Sequence, residues 1–220
     1  MYSALLYKEW LKIRWALLGM TLLSLLALTY IALNLAYYTE FMTAKGFWGN
    51  VILLEFPFFS EIQYIPLLSG IIIALVQFTP EMNLSRLKLT LHLPVEENKL
   101  LLQMISLGFL ILVILFAMIA ILLWIIVGIY FPVEVVQYVL ITAFPWLMVG
   151  LAAYFLTSAA ILELVWMRRL ILIPFALGFL DLFFTSVNPH AQLTTFLIFS
   201  GLITALIILF SGYHFKRGIK

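Results

Sequence analysis

Few side chains in this sequence have the chemistry of a catalyst or a metal ligand. The histidines, His92, His190 and His214, fall in different polar segments, and the chain has no cysteine. The sequence contains no H-E-x-x-H zinc motif and no G-x-S-x-G nucleophile motif. We therefore expect that the chain is not an enzyme, and that it holds neither a metal ion nor a cofactor.

The apolar stretches contain very few polar residues that could have a functional role. Asp181 lies eleven residues after Leu170, about 16 Å along a straight helix, and an acid at membrane depth usually faces a cavity or a partner. The alternative is that Asp181 marks the outer end of a short span. Gln77 and Gln103 flank the polar segment 79–99 and are expected to form hydrogen bonds between spans.

The composition indicates the environment in which these residues must work. Of 220 residues, 65% are hydrophobic and 10% are charged, whereas soluble domains carry about 25% charged residues. The sequence therefore predicts a polytopic membrane protein with a single transmembrane domain, residues 1–220, and no additional soluble domain.

Long apolar runs predict an all-α fold. A helix needs about 20 apolar residues to cross about 30 Å of hydrocarbon. Continuous runs of this kind favour helices over a transmembrane barrel, whose strands alternate in hydrophobicity. Six stretches are long enough, at residues 16–38, 61–79, 102–130, 137–162, 170–187 and 193–213.

The distribution of basic residues predicts the orientation. With six spans, eleven of the twelve Lys and Arg residues fall on one side, and only Lys45 falls on the other. The positive-inside rule then places both termini in the cytoplasm. The eleven are Lys8, Lys12, Arg14, Arg86, Lys88, Lys99, Arg168, Arg169, Lys216, Arg217 and Lys220.

The N-terminal arm, residues 1–15, has a pattern of its own. Its leucines and tryptophans can share one side of a helix, while Lys8, Lys12 and Arg14 lie elsewhere. This pattern is typical of an amphipathic helix in the cytoplasmic membrane interface. The alternative is a basic flank that only fixes the orientation.

The polar segment 79–99 carries the signals of a short cytoplasmic helix between spans 2 and 3. Thr79, Pro80 and Glu81 are a helix-start pattern, and Pro94 is expected to end the helix. In such a helix the leucines 84, 87 and 91 share one face, and Arg86 and Lys88 point elsewhere. The alternation of leucine at 87, 89, 91 and 93 is a competing strand pattern, but a lone strand would have no sheet to join.

The same segment resembles a known family. The run Glu81, Arg86-Leu87, Leu93-Pro94-Val95 and Lys99-Leu100-Leu101 is similar to the segment between spans 2 and 3 of type-2 ATP-binding-cassette (ABC) exporter permeases. The N-terminal YKEWLKIRW resembles the arm before the first span of that family. The chain departs from the pattern after the glutamate, where it reads Met82-Asn83-Leu84-Ser85 in place of a glycine-threonine pair.

The resemblance implies a permease subunit of an ATP-driven exporter in a bacterial cytoplasmic membrane. It implies two partners, a cytoplasmic ABC ATPase that binds ATP and Mg²⁺ and a second permease chain, identical or different. The chain has no G-x-x-x-x-G-K-[ST] loop, so ATP hydrolysis is expected in the partner, and no nucleic-acid partner is expected. The ATPase would dock on the short cytoplasmic helix of segment 79–99, which we call the coupling helix. Its candidate docking residues are Glu81, Leu84, Arg86, Leu87, Lys88, Leu91 and Pro94.

The substrate class and two other functions stay open. A hydrophobic or amphipathic substrate, such as a peptide, drug or lipid, suits spans with so few charges. The first alternative is a substrate-capture subunit of a vitamin importer, which would need a polar, aromatic-lined pocket near the outer face. The second is a membrane scaffold or assembly protein that transports nothing.

Overall fold

The computed structural model of the chain describes residues 2–41, 59–83, 97–163 and 166–185. Almost all of them are helical, and none of these described residues lies in a strand. The all-α prediction is therefore confirmed for this part of the chain. The helices are α1 (Tyr2–Phe41), α2 (Ile65–Asn83), α3 (Glu97–Tyr130), α4 (Val133–Leu162) and α5 (Trp166–Thr185), and a short 3₁₀ turn at Ser60–Ile62 precedes α2.

Four of the described helices are long and apolar enough to cross a membrane, over Leu6–Tyr37, Ser60–Met82, Lys99–Tyr130 and Val133–Leu162. They correspond to the first four predicted spans. The fifth predicted span, 170–187, overlaps α5, which is not among these four. The sixth, 193–213, lies outside the described residues. The several long apolar helices indicate a membrane-embedded protein, while six spans and the orientation of the termini stay predictions.

The N-terminal arm and the first predicted span form one continuous helix. α1 has 40 residues, about 60 Å at 1.5 Å per residue, which is about twice the hydrocarbon thickness. The sequence favours this continuity because it has no proline in the helix and only one glycine, Gly19. The apolar arm residues Leu6, Trp10, Leu11 and Trp15 are exposed, whereas Ile13 is buried. The buried stripe of α1 lies on another face, at Glu9, Ile13, Met20, Ser24, Leu28, Ile31 and Leu35.

The predicted helix start at Thr79 was wrong. α2 continues without a break through Pro80 to Asn83. A proline inside a helix lacks the N–H that would bond to the carbonyl four residues earlier. Pro80 lies in the last turn of α2, where only a few residues follow, and the next residue, Glu81, is held by ion pairs to α1. Those contacts favour one further turn of helix, and they could not be read from local sequence.

α2 and α4 form the closest helix pair and lie at the centre of the bundle. A Cβ atom added to Gly70 would overlap the carbonyl oxygen of Gly150, and one added to Gly150 would lie 2.6 Å from the carbonyl oxygen of Pro66. Small residues allow such close approach of membrane helices. α1 packs on α2 and α3, and α5 packs on α4. This arrangement brings the beginning of α1, the end of α2, the beginning of α3 and the last third of α4 together.

Candidate functional site: a polar cluster between four helices

Six side chains from three helices form a polar cluster at this meeting point. The cluster comprises Lys8, Glu9 and Lys12 of α1, Gln77 and Glu81 of α2, and Tyr154 of α4; α3 supplies two backbone carbonyls. Helical spacing explains the set, because residues three or four apart share a face. Lys8 and Lys12 are four apart, Glu9 and Lys12 three, and Gln77 and Glu81 four.

Glu81 is the centre of the charged half of the cluster. The Nζ atom of Lys12 lies 2.6 Å from Oε1 of Glu81, and the Nζ atom of Lys8 lies 2.9 Å from the same oxygen. Lys12 Nζ also lies 2.6 Å from Oε1 of Glu9. Two ammonium groups and two carboxylates balance in charge. The Glu81 side chain is fully buried, while that of Lys8 is 41% exposed.

Gln77 links the charged half of the cluster to its neutral half, which consists of Tyr154 and the two backbone carbonyls of α3. Its Nε2 atom donates to the carbonyl oxygen of Met104 at 2.7 Å and to Oε2 of Glu9 at 3.3 Å. The hydroxyl of Tyr154 lies 2.9 Å from Oε1 of Gln77 and 3.2 Å from the carbonyl oxygen of Ile105. A phenol has a single hydrogen to donate, so the two acceptors share it or compete for it. Gln77 thereby joins α2 to α1, α3 and α4.

A glycine on α3 makes room for this half of the cluster. A Cβ atom added to Gly108 would overlap the hydroxyl oxygen of Tyr154 and would lie 2.5 Å from Oε1 of Gln77. Tyr154 and Gln77 are both fully buried. The Gly108 backbone therefore packs directly against the Tyr154–Gln77 hydrogen bond, and a larger residue at this position would displace it.

Burial makes the cluster sensitive to the loss of its buried members, whereas Lys8 is partly exposed. Taking an ion out of water costs several kcal/mol, and removing one partner of a buried pair leaves the other charge uncompensated, at about 3–5 kcal/mol. Oε2 of Glu81 is buried and has no hydrogen-bond partner among the described residues. Glu81 thus depends on its other oxygen and the two lysines.

The structure brings two of the sequence-predicted site residues together and leaves others apart. Gln77 and Glu81 lie in the cluster, and Glu81 is buried beneath α1 rather than presented to a partner. Gln103 is half-buried on α3, outside the cluster. Asp181 lies in α5, but its side chain is outside the described residues, so its role stays a prediction.

The predicted docking face lies outside the described residues. This applies to Leu84, Arg86, Leu87, Lys88, Leu91 and Pro94, and to the choice between helix and strand at 87–93. Its attachment points are described, however. The segment 84–96 starts just after Glu81 and ends where α3 begins, at Glu97.

Sequence reasoning missed Glu9 and Tyr154. Glu9 has a signal, because it is the only acid among the first 39 residues and it lies one turn from Lys12. Tyr154 has none, because it is one of ten tyrosines in an apolar chain. The carboxylate of Glu163 lies close to Arg168, with 3.9 Å between Oε1 of Glu163 and Nη1 of Arg168.

Neither metal chemistry nor known relatives define this site further. Among the described residues, no group of three or more His, Asp or Glu side chains could hold a metal ion. Comparison of the chain with family models, curated proteins and solved structures finds no match. The sequence and the geometry of the cluster are therefore the basis for inferring the function.

Proposed function

We propose that this chain is the membrane-spanning permease subunit of an ATP-driven ABC exporter that moves a hydrophobic or amphipathic substrate. It would work with a separate cytoplasmic ATPase and a second permease chain, identical or different. ATP and Mg²⁺ would be bound by the ATPase, and this chain would hold neither.

The observation that carries the proposal is the attachment of Glu81 and Gln77 to the other helices. Glu81 lies within the predicted coupling segment 79–99, three residues before Leu84. Its two lysine partners connect that point to α1, and Gln77, one turn earlier, connects it to α3 and α4. A displacement of the segment by an ATPase would therefore move the end of α2 together with three other helices.

Charge and surface chemistry support the same proposal. Arg86 and Lys88 of the segment are two of the eleven basic residues on the predicted cytoplasmic side, where a soluble ATPase would bind. The described helices expose mostly large apolar side chains, such as Leu26, Ile129 and Ile171, which suit a lipid environment. A charged substrate would find few partners along such helices, and this favours a hydrophobic or amphipathic one.

The two alternatives predict different features. A vitamin-capture subunit needs a polar, aromatic-lined pocket near the outer face. The cavity found among the described helices is lined mainly by apolar side chains and includes Arg169, on the predicted cytoplasmic side. A scaffold would share the fold and the absence of catalytic motifs, so only partner and activity measurements separate it from a permease.

The first test is co-purification from native cells. We expect the tagged full-length chain, extracted in mild detergent, to bring down in stoichiometric amount a soluble subunit with a phosphate-binding loop, identified by mass spectrometry. An untagged strain is the control for nonspecific capture. Recovery of the chain alone, or with proteins that hydrolyse no ATP, would overturn the permease proposal in favour of the scaffold.

A further inference from the structure

A cavity of about 370 Å³ lies between α2, α4 and α5. Its volume is at the lower end of the roughly 300–1,000 Å³ typical of ligand pockets. The walls are almost entirely aliphatic, with the methyl-bearing side chains of Thr79 and Thr157 as the neutral polar members.

Arg169 is the charged residue among the cavity's lining residues. Its Nη2 atom donates to the carbonyl oxygens of Glu163 at 2.6 Å and Ile161 at 3.2 Å, at the end of α4. These bonds fix the guanidinium but leave its positive charge without an anion. Among the described residues no carboxylate forms an ion pair with Arg169; the carboxylate of Glu163 lies 3.9 Å from Arg168. The Nε atom of Arg169 is also buried and lacks a hydrogen-bond partner there.

The cavity is open to the apolar outer surface of the described helices. Ile173 and Leu177 line it and are also 46% and 63% exposed. Trp166 lies at the same end of α5, with its ring centroid 5.9 Å from the Arg169 guanidinium carbon. Tryptophan and arginine near the end of a membrane helix are typical of the level of the lipid head groups. An occupant would therefore come from the bilayer, with its charged end beside Arg169.

The geometry points to a binding site for an anionic phospholipid, with its phosphate paired to Arg169 and one acyl chain in the cavity between α2, α4 and α5. The aliphatic cavity suits an acyl chain. The guanidinium of Arg169, which has no carboxylate partner among the described residues, suits the phosphate. The cavity is too small for a whole two-chain lipid, so the second chain lies along the exposed face of α5. This inference does not depend on an ATPase partner, and its test uses the permease chain alone.

The test is lipid binding to the purified full-length chain in detergent, followed by native mass spectrometry. The probes are dioleoyl phosphatidylglycerol and dioleoyl phosphatidylcholine, which share their acyl chains and differ in net charge. We expect the anionic lipid to bind about tenfold more tightly, because both head groups carry the phosphate but the choline cation of the zwitterionic lipid offsets its attraction to Arg169. Arg169→Gln should remove this preference, and Ala160→Trp, which fills the cavity, should weaken both lipids.

Arg168→Gln is the matched control, because Arg168 is the neighbouring arginine, does not line the cavity and has a side chain that is 54% exposed. It should keep the preference. Circular dichroism and size exclusion verify that each variant is folded, and Arg169→Lys, which keeps the charge, should retain part of the preference. The lipid site would be overturned by any of three results. These are an equal loss of the lipid preference in Arg168→Gln, an unchanged preference in Arg169→Gln, and displacement of the lipid by millimolar inorganic phosphate.

Discussion

The ammonium nitrogen of Lys12 lies 2.6 Å from Oε1 of Glu81, across a sequence separation of 69 residues. This contact joins the beginning of the first helix to the last turn of the second. It also explains why α2 extends past Pro80, since the ion pairs of Glu81 hold the residue that follows the proline. The pair lies two residues before the end of α2 at Asn83, within the predicted coupling segment 79–99.

Loss of one member of this buried pair should strongly destabilise the protein. We expect Lys12→Met or Glu81→Gln to lower the free energy of unfolding by about 3–5 kcal/mol, because each leaves the remaining charges unbalanced in a buried site. Lys8→Met is the matched control, since the Lys8 side chain is 41% exposed, and should cost about 1 kcal/mol or less. Denaturant unfolding in detergent measures these differences. Equal effects of Lys8→Met and Lys12→Met would contradict the central role of Lys12.

The Tyr154 hydroxyl should contribute a smaller, separable amount. Tyr154→Phe keeps the buried ring but leaves Oε1 of Gln77 without that donor, which should cost about 1–3 kcal/mol. Tyr138→Phe is the control on the same helix, because Tyr138 is 43% exposed, and should change stability by about 0.5 kcal/mol or less. The measurement is again denaturant unfolding. A Tyr154→Phe variant as stable as the control would show that the hydroxyl does not stabilise the fold.

Glycine-to-alanine substitutions should separate close helix contacts from open positions. Gly108→Ala and Gly150→Ala should destabilise the fold, because the new methyl group would overlap neighbouring atoms. Gly19→Ala and Gly128→Ala meet nothing within 4 Å and should be neutral or stabilising, by up to about 1 kcal/mol of helix propensity. Thermal unfolding of the four variants checks this order. Stable Gly108→Ala and Gly150→Ala proteins would contradict the packing described here.

The six-span topology can be tested without background labelling, because the chain has no cysteine. In intact cells a membrane-impermeant maleimide should label Thr43→Cys and Asn188→Cys. Ser85→Cys and Gly218→Cys should react only after permeabilisation, because both positions are predicted to be cytoplasmic. If Thr43→Cys is labelled and Ser85→Cys is protected, labelling of Gly218→Cys from outside would show an odd number of spans and would contradict the predicted position of the C-terminus.

The long helices could be predicted from sequence because an uninterrupted apolar run of this length has few alternatives in a membrane. The course of the chain at Pro80 and the burial of Glu9 could not be predicted. Both depend on Lys12 and Glu81 meeting across a large sequence separation, which no local pattern encodes. Gln77 was predicted as an interhelical hydrogen-bonding residue, and this prediction was confirmed, whereas its partner Tyr154 carried no signal.

The central claim is that the segment after Glu81 couples this chain to an ATPase, and ATP turnover of the complex tests it most directly. The basal ATPase rate of the purified complex in proteoliposomes would be compared for the wild type, Leu87→Asp/Leu91→Asp and Leu89→Asp. In the predicted helix, Leu89 lies away from the face of Leu87 and Leu91, so Leu89→Asp is the matched control. We predict that the double variant inserts normally but loses the ATPase subunit and its turnover, while Leu89→Asp keeps both. A double variant that retains the subunit and wild-type turnover would contradict the coupling account.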